Sequence, residues 1–193
     1  LWSQLLWALD AKSYEKGTSA LSGKLGQPIV DSRLTLRNLP LREDLLGVGF
    51  TPEGLPTVES SWMTEGALTQ LSYDRFTAKE RGVTTIPTLD APCLSGAGAS
   101  LPNLQELIKQ TERAILVTNF WYIRTVNPTD LTLTGMTRDG TFLVENGAIV
   151  SAVKNFRFHE SPLQAFNRIE AFTGPAEAIT SETGKLLVPA MRL

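Results

Sequence analysis

TFLVENGAIVSAV, residues 141–153, sets the fold class. Strand-suited runs lie on both sides of Asn146-Gly147, and the tightest two-residue hairpin turn needs positive φ at both central positions, which Asn-Gly supplies. The stretch predicts an antiparallel hairpin. A second hairpin is predicted at Glu65-Gly66, between strand-suited runs at 56–64 and 67–73. Asp139-Gly140 offers a third turn just ahead of the first hairpin. Glu65-Gly66-Ala67-Leu68 resembles Glu145-Asn146-Gly147-Ala148-Ile149, a weak pointer to internal duplication.

Helical periodicity flanks these hairpins. LWSQLLWALD at the start places Trp2, Leu5, Leu6 and Leu9 on one face of an amphipathic helix. A second helix is predicted over 101–113, with Leu104, Leu107 and Ile108 on its buried face. A third starts at Ser161, with Pro162 in its first position and Gln164 completing a capping box, and runs through Phe166 and Ile169 to Phe172 before Gly174-Pro175. A short β-like run covers 29–36. Residues 84–100, rich in Thr, Pro, Gly, Ala and Ser, read as a long surface loop. Strands that come in hairpins, with helices between the groups, predict an α+β fold with a mainly antiparallel sheet and about three helices.

The chain has 193 residues with 42% apolar content, enough for a real core. Its net charge of −2, spread along the chain, lacks the basic footprint of a phosphate-backbone binder, so no direct nucleic-acid contact is expected. One cysteine makes no internal disulfide, and no apolar run approaches the roughly 20 residues of a membrane span, so a cytoplasmic location without a membrane is expected. Glycines 17, 23 and 26 fit neither the dinucleotide nor the phosphate-loop spacing. The opening on Leu1, in the middle of a helical pattern, reads as a chain cut from something longer.

TNFWYIRTVNP, residues 118–128, is the candidate binding stretch. In a regular strand Asn119, Trp121 and Ile123 share one face while Phe120, Tyr122 and Arg124 share the other. One side would line a peptide cleft or a subunit interface, and an added peptide strand would bind by backbone pairing. The alternative keeps both faces in the core, with polar tips satisfied internally. Arg124, Arg138 and Arg157 flank this strand and the hairpins; they suit a carboxylate or peptide terminus, and an intramolecular ion pair is the ordinary alternative. His159 is the only histidine, so it lacks the partner a zinc site needs. Cys93 is a single thiol in a predicted loop with no adjacent base.

Taken together, GTSALSGKLGQPIVDSRLTL, TPEGLPTVESSWMTEGALTQLSYDRFTAKERG, LQELIKQTERAILVTNFWYIRTVNPTDLTLTGMTRDGTFLVENGAIVSAVKNFRF and VPAMRL resemble the C-terminal part of the TldD/PmbA family, the modulators of DNA gyrase and peptide-maturation metalloproteases. The resemblance covers nearly the whole chain, in the family's order, as one domain over 1–193 with an N-terminal part absent. It implies a metal held by an HExxxH helix before the glycine-containing segment, with a further cysteine near the C-terminus of the catalytic type. LWSQLLWALDAKSYEKG has no histidine or glutamate at that spacing, and ITSETGKLLVP has no cysteine. The resemblance is therefore closer to the PmbA/TldE-like type, which lacks the metal motif. It implies no catalytic or metal-binding residue in this chain and zinc only in a catalytic partner. It further implies a homodimer or a heterodimer with a TldD-type paralogue, peptide substrates, and peptide or interface contacts from Asn119, Trp121, Arg124 and Arg138. The alternatives are a structural dimerisation module without peptide affinity and an enzyme using Cys93 or His159.

Overall fold

A computed structural model describes residues 1–45, 47–98, 101–180 and 184–193. The opening amphipathic pattern divides into α1 (Trp2–Trp7) and α2 (Ala11–Glu15), because Asp10 starts a new helix by accepting the Ser13 amide at 2.9 Å. A turn-rich segment leads to β1 (Leu34–Asn38), then β2 (Ser60–Thr64) and β3 (Ala67–Leu68). α3 (Arg75–Arg81) lies between the capping carboxylate of Asp74 and the left-handed Gly82, and β4 (Pro92–Gly96) follows. Next come α4 (Leu104–Lys109), β5 (Arg113–Val117), β6 (Phe120–Asn127), β7 (Thr132–Thr137), β8 (Thr141–Glu145), β9 (Ala148–Ala152) and β10 (Arg157–Glu160). α5 (Pro162–Ala165), β11 (Ala171–Thr180) and β12 (Gly184–Arg192) complete the chain.

A six-stranded sheet runs in the order β11-β12-β4-β1-β2-β3, antiparallel except where β12 meets β4. Two three-stranded sheets, β5-β8-β9 and β10-β7-β6, are halves of one bent meander. The Thr118 amide donates to the Gly140 carbonyl at 3.0 Å and the Arg138 amide to the Asn119 carbonyl at 3.1 Å, carrying the ladder through the bend. Both predicted two-residue hairpins are present, with positive φ at Glu65 and Gly66 and again at Asn146 and Gly147. The fold is thus α+β and mostly antiparallel, with five short helices among the described residues.

The main core lies between α1, α5 and the sheets. Trp2 stacks on Phe166 at 4.2 Å, and Leu5, Leu34, Trp62, Met63, Leu68, Leu94 and Phe172 are almost wholly buried with them. The β6-β7-β10 half of the meander joins this core through Leu133, Ile123 and Phe158. Arg33 ties β1 to the entrance of β11: its guanidinium donates to both oxygens of Asp31 (2.9 and 2.7 Å) and to the Ile169 carbonyl at 2.5 Å. These hydrogen bonds hold the Asp31 carboxyl below its ordinary value of 3.8. The ion pair therefore stabilises the fold above that pH, and its contribution is lost as pH falls through the lowered folded value. Asp31→Asn should melt earlier than the parent at neutral pH, with the gap closing in acid below pH 3.8; melting curves across that range check it.

Several expectations are corrected. Residues 84–100 do not form one surface loop, since β4 is buried between β1 and β12. The third helix ends at Ala165, and Phe172 and Gly174-Pro175 belong to β11, where the register shifts between Phe172 and Pro175. Ser161 forms no capping box, because its hydroxyl donates instead to the Asp130 carbonyl at 2.8 Å. α4 is shorter than predicted and buries Leu107 but leaves Leu104 exposed. Asp139-Gly140 is a bend, not a reversal, because β7 and β8 continue the same line. The duplication fails: the strand after Glu65-Gly66 leads into α3, whereas the strand after Asn146-Gly147 leads into β10. In ITSETGKLLVP, residues 181–183 lie outside the described residues.

Candidate functional face

The register of β6 against β7 decides which of its side chains meet solvent. Trp121 sits opposite Met136 and Arg124 opposite Thr134, so three steps on β6 match two on β7. The extra residue is accommodated at Tyr122, whose φ is +52. This bulge overturns the predicted alternation. Phe120 and Ile123 turn inward, Phe120 meeting Phe158 edge to face at 5.0 Å, while Trp121, Tyr122 and Arg124 are all exposed.

Across β7 and β10 the same outward face carries Thr134, Met136, Arg157 and His159, since Arg157 pairs with Met136 and His159 with Thr134. Arg138 holds its guanidinium 4.5 Å above the Trp121 ring, and Arg124 lies 4.1 Å above Tyr122. These cation–π contacts fix the arginines without using up their donors. Arg138 also pairs with Asp139 at 3.1 Å. Arg124 donates to the Ile123 carbonyl at 2.9 Å and Arg157 to the Thr134 hydroxyl at 3.4 Å; neither has an ion pair among the described residues. The ordinary role as ion-pair members therefore applies to Arg138 alone of the three.

Of the four residues singled out by sequence, Trp121, Arg124 and Arg138 meet on this face. Asn119 is half-buried at the bend, where its carbonyl serves the ladder. The alternative with both faces of β6 in the core is overturned, because Trp121 is 49% exposed and Tyr122 is 65% exposed. Tyr122 and His159 complete the face, and nothing in the local alternation announces the bulge that exposes Tyr122. Trp121→Ala should change stability by less than about 1 kcal/mol, the scale of a surface cation–π contact, in chemical denaturation.

The other candidates fall apart in space. Cys93 is buried on β4 among Leu45, Ala91 and Leu187, and burial pushes its thiol up, the wrong direction for a nucleophile. His159 lies on a different sheet. Among the described residues no three His, Cys, Asp or Glu side chains gather to hold a metal ion. No helix among the described residues is long and apolar enough to cross a membrane.

An α+β core with a bent antiparallel meander defines a known class, and the chain belongs to the PmbA/TldA metallopeptidase C-terminal domain family, matched over residues 1–193. Three solved structures share the fold. TldE from Thermococcus kodakarensis superposes with a TM-score of 0.81 at 19% identity, over 97% of this chain and 44% of that one. A candidate modulator of DNA gyrase from Bacteroides thetaiotaomicron gives 0.77 at 24% identity, over 98% and 41%. Another, from Thermotoga maritima, gives 0.75 at 21% identity, over 95% and 43%. This chain thus spans about two fifths of each relative's length. No curated protein sequence matches it.

Proposed function

We propose that this chain is a noncatalytic or regulatory domain of a TldD/PmbA-type metallopeptidase system acting on peptides in the cytoplasm. It pairs with itself or with a TldD-type paralogue, and the paralogue carries the zinc. One observation carries the reading: in a member of a metallopeptidase family with a single histidine in 193 residues, the prominent exposed feature is the aromatic and arginine face of β6, β7 and β10. Such a face can hold a polypeptide through side chains. Trp121, Arg124 and Arg138 make the contacts, with Asn119 at the bend behind them. The bulge at Tyr122 interrupts the regular edge that an added strand requires, so side-chain contact replaces the expected backbone pairing.

A second reading, a structural dimerisation module, draws support from β9, all five residues of which are exposed on an edge strand that includes Ile149 and Val150. Affinity recovery of the full-length protein from its own cell extract, followed by metal and peptidase assays, separates the two. Recovery of a histidine-motif paralogue with zinc and peptidase activity is expected. A lone, inert homodimer would favour the dimerisation module, and stoichiometric zinc on this chain alone would overturn both.

A further inference from the structure

We propose that the outward face of β6, β7 and β10 selects acidic polypeptide segments, with the guanidinium groups of Arg124 and Arg157, beside Arg138, receiving Asp or Glu carboxylates. This rests on the peptide-handling reading above and adds to it the chemistry of the peptide.

The charge balance of the face is the first argument. The chain as a whole carries −2, yet this face holds three arginines against one carboxylate, Asp139, which Arg138 already neutralises. The carboxylates at the ends of these strands are engaged elsewhere. Glu160 pairs with Arg168 at 2.5 Å, and Asp130 accepts from the Thr132 amide and the Asn127 side chain. Among the described residues Arg124 and Arg157 therefore stand as unpaired cations on a sheet whose underside, with Leu133 and Phe158, is fixed in the core.

Preorganisation is the second. A free arginine side chain loses rotamer entropy when it binds, whereas Arg124 and Arg138 are already held over Tyr122 and Trp121. A planar guanidinium kept in place over a ring still offers paired N–H donors, the fork that fits a carboxylate. The same stacking argues against single-stranded nucleic acid, which needs open aromatic faces for its bases. Here a guanidinium already covers one face of each ring.

The test is fluorescence anisotropy on the full-length protein in its recovered assembly. Three labelled peptides are titrated, alternating serine with glutamate, glutamine or lysine, beside an oligothymidylate of similar length. The glutamate peptide should bind about tenfold tighter than the glutamine peptide at low salt, with the preference fading as salt rises. The double substitution Arg124→Gln with Arg157→Gln should abolish that preference while leaving the melting temperature unchanged. Equal affinity for the glutamate and glutamine peptides would overturn the selectivity and leave the peptide-handling reading standing. Binding of none of the peptides would overturn both. Tighter binding of the oligothymidylate would make the face a nucleic-acid platform and overturn the proposal. So would a peptide-free assembly in which Trp121, read as the difference from Trp121→Phe, is shielded from acrylamide, because a subunit would then occupy the face.

Discussion

Replacing Gly66 with alanine lowers stability by about 3 kcal/mol or more, enough to leave little folded protein in a domain of ordinary marginal stability. Gly66 is the second central residue of the β2-β3 hairpin, at φ +73, which disfavours any side chain by about 1–2 kcal/mol. The added methyl would also lie 2.3 Å from the Val30 carbonyl oxygen and 2.8 Å from that of Asp31. Neither oxygen can withdraw. The Gly66 carbonyl accepts the Ile29 and Val30 amides, and its own amide donates to the Leu34 carbonyl, so the turn and the segment before β1 are stitched together. Gly54→Ala is the control: it has a similar φ of +75 but meets nothing within 4 Å, so only the conformational penalty of about 1–2 kcal/mol applies. Urea unfolding of both variants separates close packing from backbone preference. Equal losses would show that the segment before β1 yields.

Trp62→Ala is expected to remove about 3–5 kcal/mol, as truncations of large buried aromatics do. Trp62 is 1% exposed on β2, and its indole N–H donates to the Ser60 hydroxyl at 3.0 Å, so the substitution opens a cavity and also frees that hydroxyl. Denaturant midpoints for Trp62→Ala and Trp121→Ala compare one tryptophan in the core with one on the exposed candidate face. A large loss at Trp121 would mean that the aromatic and arginine face supports the fold instead of a ligand.

What could be read from the sequence follows the range of the interactions. The two hairpins were legible at Glu65-Gly66 and Asn146-Gly147 because turn chemistry is local and the requirement for positive φ is strict. The burial of the opening segment was legible too, since Trp2 and Leu5 of α1 and Leu9 in the turn after it recur at helical spacing. β4 was not. Pro92-Cys-Leu-Ser-Gly has no alternation and no β-branched residue, and it becomes a strand because β1 and β12 pair with it from distant parts of the chain. The strand character of β11 is hidden by Gly174-Pro175, a helix-stop signal that the sheet absorbs as a register shift. α3 left a signal that went unread, in the form of Asp74 three residues before Thr77 and Gly82 after the last turn. On the candidate face, residue types drew attention to Trp121, Arg124 and Arg138, but strand alternation puts Trp121 and Arg124 on opposite sides, whereas the bulge turns both to solvent. A single extra residue in a ladder reverses every face beyond it.

The two borders of the meander are both bulged but unequal in charge. Along β6 the kink at Tyr122 and the arginine beside it deny a neighbouring molecule the flat, uncharged border on which cross-β growth feeds. β9 is bulged as well, since one step from Leu143 to Val144 matches two from Ser151 to Ile149 and leaves Val150 without a partner, but Ala148-Ile149-Val150-Ser151-Ala152 contains no charge and no proline. In a concentrated preparation, misassembly of this domain therefore begins at β9, and a lysine placed there would serve as a gatekeeper without touching the arginine face.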